Sequence, residues 1–136
     1  MLYVIRHGQV DTNVKNQVNG WNEEELTEKG IEQAKQAGNI IKNMKIDVIF
    51  CSPLLRTKQT YNNLNLHNTK VFYDNRIKER NSKSMIYAPV EMIDNSIWYD
   101  KKKDLIYDDT EGFKRIINRT KSILEELKNK YNDKNI

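Results

Sequence analysis

The sequence predicts an α/β protein: a three-layer α/β/α sandwich around a mostly parallel central sheet. Three short apolar runs, at residues 2–5, 48–51 and 71–73, have the length and composition of buried strands. They alternate with longer segments in which apolar residues recur at helical spacing. Strands that alternate with helices pair in parallel, because each helix carries the chain back across the sheet. A chain of 136 residues suits one domain, so we expect residues 1–136 to form a single domain.

Three helices are predicted from start signals and apolar periodicity. Thr27 is a typical N-cap residue, and apolar side chains follow it at a spacing of three or four. Ser52 and Pro53 are predicted to be the N-cap and first residue of a second helix. A long amphipathic helix is predicted after Thr110. Its predicted apolar face consists of Phe113, Ile116, Ile117, Thr120, Ile123, Leu124 and Leu127.

Composition narrows the class of protein. Hydrophobic residues make up 38% of the chain, and the longest apolar run, residues 1–5, is too short to cross a membrane. We therefore expect a cytoplasmic protein without a membrane partner. The net charge is +4, and the run Lys101–Lys103 is interpreted as a solvated surface, so no nucleic-acid partner is expected. Cys51 is the only cysteine, which excludes an internal disulfide, and it is expected to be a buried structural thiol.

Polar residues that could act in catalysis or ligand binding follow the first two predicted strands. Arg6, His7 and Gly8 come directly after residues 2–5, and Arg56 lies a few residues after the second strand. Because parallel strands end at the same edge of a sheet, the two arginines are expected to converge on one ligand. An imidazole can act as a nucleophile or base near neutral pH, and a guanidinium matches phosphate or carboxylate.

Four sequence blocks occur in order over the first 80 residues. Arg6 to Asn13 fit Arg-His-Gly-Glu/Gln-Thr-x-x-Asn, with Val10 in place of threonine. The other three blocks are carried by Gly20, Leu26, Thr27, Gly30, Gln33 and Ala34, by Ser52, Pro53, Leu54, Arg56, Gln59 and Thr60, and by Asp74, Arg76 and Glu79. Together the blocks resemble the histidine phosphatase superfamily, also called the phosphoglycerate mutase-like family. Thr110-Glu111 and Arg119 fit later positions of that family more loosely.

The resemblance implies phosphoryl transfer through a phosphohistidine on a small phosphorylated substrate. His7 would attack the phosphorus, while Arg6 and Arg56 would hold the phosphate oxygens. Asn13 would add a neutral donor, although asparagine suits a turn equally well. Glu79 would protonate the leaving group and later accept a proton from water. This chemistry needs no cofactor and no metal.

Two positions depart from the family pattern. Lys83 stands where the family often has glycine, which puts the local backbone in question. The family also has a second His-Gly after a late apolar strand, and this sequence contains no such block. The only other histidine, His67, is interpreted as a surface loop residue. Without that late strand, the sheet would have an exposed edge through which copies of the chain could pair.

Three functions are consistent with these features. Phosphomonoester hydrolysis, as in a histidine acid phosphatase or a phosphoglycerate mutase-like phosphatase, is the preferred prediction. A phosphoglycerate mutase-type transfer is the first alternative: Glu79-Arg80 is typical of mutases, but Ser82-Lys83 is not. A truncated, non-catalytic phosphate-binding protein is the second. Residues 80–109 show little periodicity and are predicted to form an irregular excursion that sets substrate choice.

Overall fold

A computed structural model describes residues 1–66, 68–99 and 109–136. The predictions for His67 and for the lysine run at 101–103 therefore concern positions outside the described residues. In chain order the helices and strands are α1 (Asp11–Val14), α2 (Glu28–Ile41), β1 (Val48–Cys51), α3 (Leu55–Asn63), β2 (Lys70–Tyr73), α4 (Asn95–Trp98) and α5 (Phe113–Lys130). Short 3₁₀ turns occur at Asn75–Ile77, Lys83–Met85 and Val90–Met92.

The predicted parallel α/β arrangement is confirmed. β1 and β2 pair in parallel, with Val48 opposite Lys70. Phe50 and Phe72 stack across this pair, with ring centroids 5.4 Å apart. Helix α2 packs on α3, and α5 packs on the turn that follows β2. The crossover helix α3 connects two adjacent parallel strands, which places the chain that leaves β1 and the chain that leaves β2 at the same edge.

The first predicted strand is not buried. Residues 2–5 are exposed, with Val4 at 86%, and they lie outside the two-stranded sheet. Tyr3 N–H donates to the Ile136 carbonyl at 2.8 Å, so this segment only begins a parallel ladder with residue 136. Asn135 accepts from the backbone at the start of β1. Residues 135–136 thus lie between the N-terminal segment and β1. Further along, residues 4 and 5 have no described strand beside them, so the prediction of a buried strand is wrong here.

The start of α2 agrees with the sequence, whereas the start of α3 does not. The Thr27 side chain accepts from Gly30 N–H at 3.1 Å, as expected of an N-cap. Helix α3 begins at Leu55, and its flanking residue makes no side-chain cap bond. The predicted cap at Ser52 is wrong because the helix begins later, at Leu55, whose N–H donates to the Glu23 carboxylate, 32 residues earlier, at 3.0 Å. A residue distant in sequence has taken over the capping function.

Helix α5 buries a narrower face than its periodicity predicts. Ile123 and Leu127 are buried, but Ile117 and Leu124 are nearly half exposed. Gly112 precedes the first residue of the helix, so the helix begins slightly after the predicted position. No helix within the described ranges is both long enough and apolar enough to cross a membrane.

The described part of the predicted excursion, residues 80–99, is irregular but well anchored. It runs alongside the loop after α1 through backbone hydrogen bonds. Val18 N–H donates to Ala88 at 2.8 Å, Tyr87 N–H donates to Val18 at 2.9 Å, and Val90 N–H donates to Asn16 at 3.0 Å. These bonds fix one wall of the cavity described below.

Lys83 adopts the backbone conformation that glycine favours, with a φ of 38°. A side chain in this region costs about 1–2 kcal/mol, more than the entropy that glycine loses on folding, about 0.5–1 kcal/mol. Lys83→Gly is therefore expected to raise the free energy of unfolding by about 0.5–1 kcal/mol in urea denaturation. Lys42, with a φ of −53°, is the matched control, because Lys42→Gly should lower the same quantity. A Lys83→Gly variant less stable than the parent would contradict this account.

Candidate functional site

His7 is oriented by its own backbone neighbours. Its Nδ1 lies 2.7 Å from the Gly8 carbonyl oxygen. A carbonyl only accepts hydrogen bonds, so Nδ1 carries the proton and Nε2 holds the free lone pair. Gly8 N–H in turn donates to Thr60 Oγ1 at 3.1 Å, which ties the histidine turn to α3. The imidazole is therefore held in the tautomer that a nucleophile requires.

Two glycines allow this turn to lie directly against helix α2. A Cβ placed on Gly8 would be 2.3 Å from the Gly30 carbonyl oxygen, and a Cβ on Gly30 would be 2.2 Å from the Gln9 carbonyl oxygen. Both distances are far below van der Waals contact and involve backbone atoms that cannot move aside cheaply. Thr27 N–H also donates to the Gln9 carbonyl at 2.9 Å. The backbones around the glycines of the first two sequence blocks are therefore in direct contact, and a residue with a Cβ would not fit at either position.

Four of the five predicted site residues line one cavity of about 780 Å³: Arg6, His7, Asn13 and Glu79. The guanidinium of Arg6 is exposed there and makes no hydrogen bond or ion pair with the residues described. Asn13 has two roles, since its Oδ1 accepts from Val10 N–H at 3.1 Å while the side chain also lines the cavity. The structure thus shows the turn contact of Asn13, while its role as a ligand donor stays a prediction.

Arg56, the fifth residue, lies behind the cavity wall with its side chain 0% exposed. Its Nη2 donates to the Gly20 carbonyl at 2.7 Å and to Glu79 Oε2 at 2.8 Å, and its Nη1 donates to the Asn22 carbonyl at 3.1 Å. Its Nε–H is buried and donates to no described atom. Arg56 therefore holds Glu79 in place and keeps one buried donor uncommitted.

The surroundings of His7 keep its imidazole neutral. Burial has the largest effect and lowers the pKa of His7, while the hydrogen bond to Gly8 opposes it. The charges of Arg56 and Arg6 lower the pKa further, and the charge of Glu79 raises it. The net result is a pKa below the ordinary value of histidine, so Nε2 stays unprotonated and nucleophilic at neutral pH.

Residues outside the five predicted site residues hydrogen-bond to the backbone of Glu79, whereas Arg56 contacts its side chain. Trp21 Nε1–H donates to the Glu79 carbonyl oxygen at 2.7 Å. Arg119 donates to the same oxygen at 3.0 Å and also pairs with the buried Glu111. The sequence signal for Arg119 and Glu111 was weak, because charged residues on or near an amphipathic helix are usually solvated. Their loose fit to the later family positions was the only indication.

Metal ligation has no candidate in the described part of the chain: no group of three or more His, Cys, Asp or Glu side chains there is arranged to hold an ion.

Comparison with known proteins identifies relatives that match different lengths of the chain. The model of the histidine phosphatase superfamily (branch 1) matches residues 2–136. A 2,3-bisphosphoglycerate-dependent phosphoglycerate mutase of Xanthobacter autotrophicus is 44% identical over 62 residues, which are 44% of this chain and 30% of the relative. The mutase of Chlamydia pneumoniae is 39% identical over 97 residues, 67% of this chain and 41% of the relative. The matches thus span less than half the length of these curated relatives.

Solved structures share the fold at lower sequence identity. Bacillus stearothermophilus YhfR superimposes with a TM-score of 0.85 at 19% identity, over 99% of this chain and 70% of that protein. The alpha-ribazole phosphatase of Shigella flexneri gives a TM-score of 0.79 at 23% identity, over 99% and 70% of the two chains. These likenesses confirm the predicted phosphoglycerate mutase-like architecture.

The charges around His7 predict opposite effects of two substitutions on its titration. Glu79→Gln removes the charge that raises the pKa of His7, so that pKa should fall further. Arg6→Gln removes a charge that lowers it, so the pKa should rise. Both shifts are measured by NMR titration of the imidazole Cε1–H signal, assigned with a His7→Asn variant. Shifts of the same sign in the two variants would contradict the geometry described here.

Proposed function

Since this chain belongs to the histidine phosphatase superfamily, we propose that it hydrolyses phosphomonoesters through a phosphohistidine formed on His7. The observation that carries the proposal is the state of the imidazole. Its Nδ1–H is committed to the Gly8 carbonyl, and its pKa is held below the ordinary value. The remaining nitrogen is an unprotonated nucleophile in a cavity that a cation, Arg6, also lines.

The proposed reaction has two steps. In the first, which begins from the protonated form of Glu79, His7 Nε2 attacks phosphorus, the P–O ester bond breaks, and its electron pair leaves with the ester oxygen, which takes the proton from Glu79. In the second, water attacks the phosphohistidine, Glu79 recovers a proton from that water, and the P–N bond breaks to release inorganic phosphate. The histidine and the carboxyl group end in their starting states.

The cationic groups would stabilise charge on the transferred phosphoryl group. Arg6 can bind phosphate oxygens directly, because its exposed guanidinium lines the cavity. The free amide end of Asn13 adds a neutral donor. Arg56 contributes its positive charge from behind the wall, because its side chain is fully buried and does not line the cavity.

Much of the remaining cavity lining supports hydrolysis of a substrate with an uncharged leaving group. It combines apolar and aromatic side chains with amides: Val90, Ile93, Trp98, Tyr99, Asn16, Gln17 and Asn95. Arg80 is the cation there, and it already donates to the Trp98 and Glu111 carbonyls and to the Thr110 hydroxyl. A carboxylate such as that of phosphoglycerate would have to compete for it, which favours a phosphatase over a mutase.

A mutase remains the second candidate because the curated relatives named above are phosphoglycerate mutases. In that case a substrate hydroxyl, and not water, would accept the phosphoryl group from His7. The two activities are separated by supplying ³²P-labelled phosphoenzyme with buffer alone or with 2- or 3-phosphoglycerate. Release of inorganic phosphate in buffer supports the phosphatase, whereas label transferred only to phosphoglycerate supports the mutase.

Replacement of the nucleophile tests the proposal. His7→Asn should lower turnover of p-nitrophenyl phosphate by at least about 1,000-fold, because the variant lacks the imidazole nitrogen on which the proposed intermediate forms. Rapid acid-free quenching should trap a phosphohistidine in the parent, detected by ³¹P NMR, and none in the variant. His67→Asn, at the only other histidine in the sequence, is the matched control and should retain activity.

Two results would contradict the proposal. Equal turnover in the parent and in His7→Asn would exclude the phosphohistidine mechanism. A parent with no turnover that nevertheless binds inorganic phosphate saturably would favour the non-catalytic phosphate-binding alternative.

A further inference from the structure

The segment that carries Glu79 is held in place by one arginine of helix α5. Arg119 Nη1 donates to the Arg76 carbonyl at 2.7 Å and to the Lys78 carbonyl at 2.6 Å. Its Nη2 donates to the Glu79 carbonyl at 3.0 Å. Three of the four carbonyl oxygens in residues 76–79 therefore accept from a single guanidinium.

Glu111 fixes that guanidinium in turn. Arg119 donates to both carboxylate oxygens, from Nε at 2.9 Å and from Nη2 at 3.0 Å. The Glu111 side chain also accepts from Asn81 N–H at 3.1 Å, and its own N–H donates to the Asn81 carbonyl at 2.8 Å. Arg119 and Glu111 thus hydrogen-bond to the chain on both sides of Glu79, at residues 76–78 and at residue 81.

The ion pair between these two residues is shielded from water. The Glu111 side chain is 3% exposed and that of Arg119 is 14% exposed. Burial by itself would raise the pKa of Glu111, but Arg119 and the Asn81 amide outweigh burial and hold that pKa below the ordinary value. The carboxylate therefore remains ionised, and the bidentate geometry with Arg119 persists, through the neutral range.

We infer that Arg119 and Glu111 are positioning residues that hold the Glu79 carboxyl group where it can protonate the leaving group. The inference rests on the proposed function, since it assigns the pair to the proton-transfer step of that reaction. Neither residue lines the cavity. Their influence passes through the backbone of residues 76–79, while Arg56 holds the Glu79 side chain from the other direction.

Leaving-group dependence separates this role from a general effect on folding. p-Nitrophenolate leaves readily as an anion, whereas phenolate from phenyl phosphate benefits more from a proton donated by Glu79. The value to compare is kcat/KM, because it reports the first phosphoryl transfer even where breakdown of the phosphohistidine limits kcat. Loss of proton transfer lowers the ratio of kcat/KM for phenyl phosphate to that for p-nitrophenyl phosphate.

Arg119→Lys is the test variant, since it keeps the charge and removes the planar fork. We expect that ratio to fall by about tenfold or more, within the range that general acid catalysis contributes. Arg115→Gln is the matched control: Arg115 lies 3.8 Å from the same Glu111 oxygen but is 77% exposed, and its ratio should equal that of the parent. In a Glu79→Gln background, Arg119→Lys should cause no further fall in the ratio.

Trp21 provides a second measurement that does not depend on turnover. Its indole N–H donates to the same Glu79 carbonyl as Arg119. Its indole signal in a ¹H–¹⁵N spectrum, assigned with Trp21→Phe, should move in Arg119→Lys and stay in place in Arg115→Gln.

The outcomes distinguish this inference from the proposed function. An unchanged ratio in Arg119→Lys, or an equal loss for both substrates, overturns the positioning role while His7-dependent turnover still supports the phosphatase. An unmoved Trp21 signal in Arg119→Lys also overturns it. A parent without His7-dependent turnover of either substrate refutes the proposed function, and the positioning role with it.

Discussion

The rest of the site depends on the hydrogen bonds and the ion pair that the buried guanidinium of Arg56 makes. It joins helix α3 to the loop at residues 20–22 through two carbonyls and to the Glu79 carboxylate through an ion pair. The Arg56 side chain is 0% exposed, so loss of its partners would leave a buried charge with less compensation, which makes Arg56 a structural as well as an electrostatic element. The same charge helps to hold the pKa of His7 down. The Arg56 side chain therefore pairs with the proposed acid, lowers the pKa of the proposed nucleophile and links helix α3 to the loop at residues 20–22.

The proposed nucleophile and acid are supported by different kinds of contact. His7 is positioned by close backbone approach, since Gly8 and Gly30 leave no room for side chains and Thr60 anchors the turn. Glu79 is positioned by charged side chains that converge on its backbone and carboxylate. The hydrogen bond from Nδ1 to the Gly8 carbonyl orients the histidine on this constrained backbone, whereas the carboxylate, 44% exposed, keeps the access to solvent that a group exchanging protons with water needs.

Much of the site could be anticipated where function requires particular residues close together in sequence. Arg6, His7 and Gly8 form one such block, and the structure places them at one cavity with Asn13 and Glu79. The cap of α3 could not be anticipated, because Glu23 reaches it across 32 residues. The exposure of residues 2–5 could not be anticipated for a related reason. Their composition favours a strand, but burial of a strand depends on neighbours that lie far away in sequence.

The sequence by itself determined the α/β class, the alternation of α2, β1, α3 and β2, and the identity of the residues around His7. Local periodicity, N-cap chemistry and the spacing of the four blocks encode these properties. Only the tertiary structure decided which charges are buried. It placed Arg56 behind the wall, limited the buried apolar face of α5 to Ile123 and Leu127, and directed Arg119 onto the Glu79 backbone. Burial and long-range pairing are collective properties of packed elements, so they become visible only when those elements are in contact.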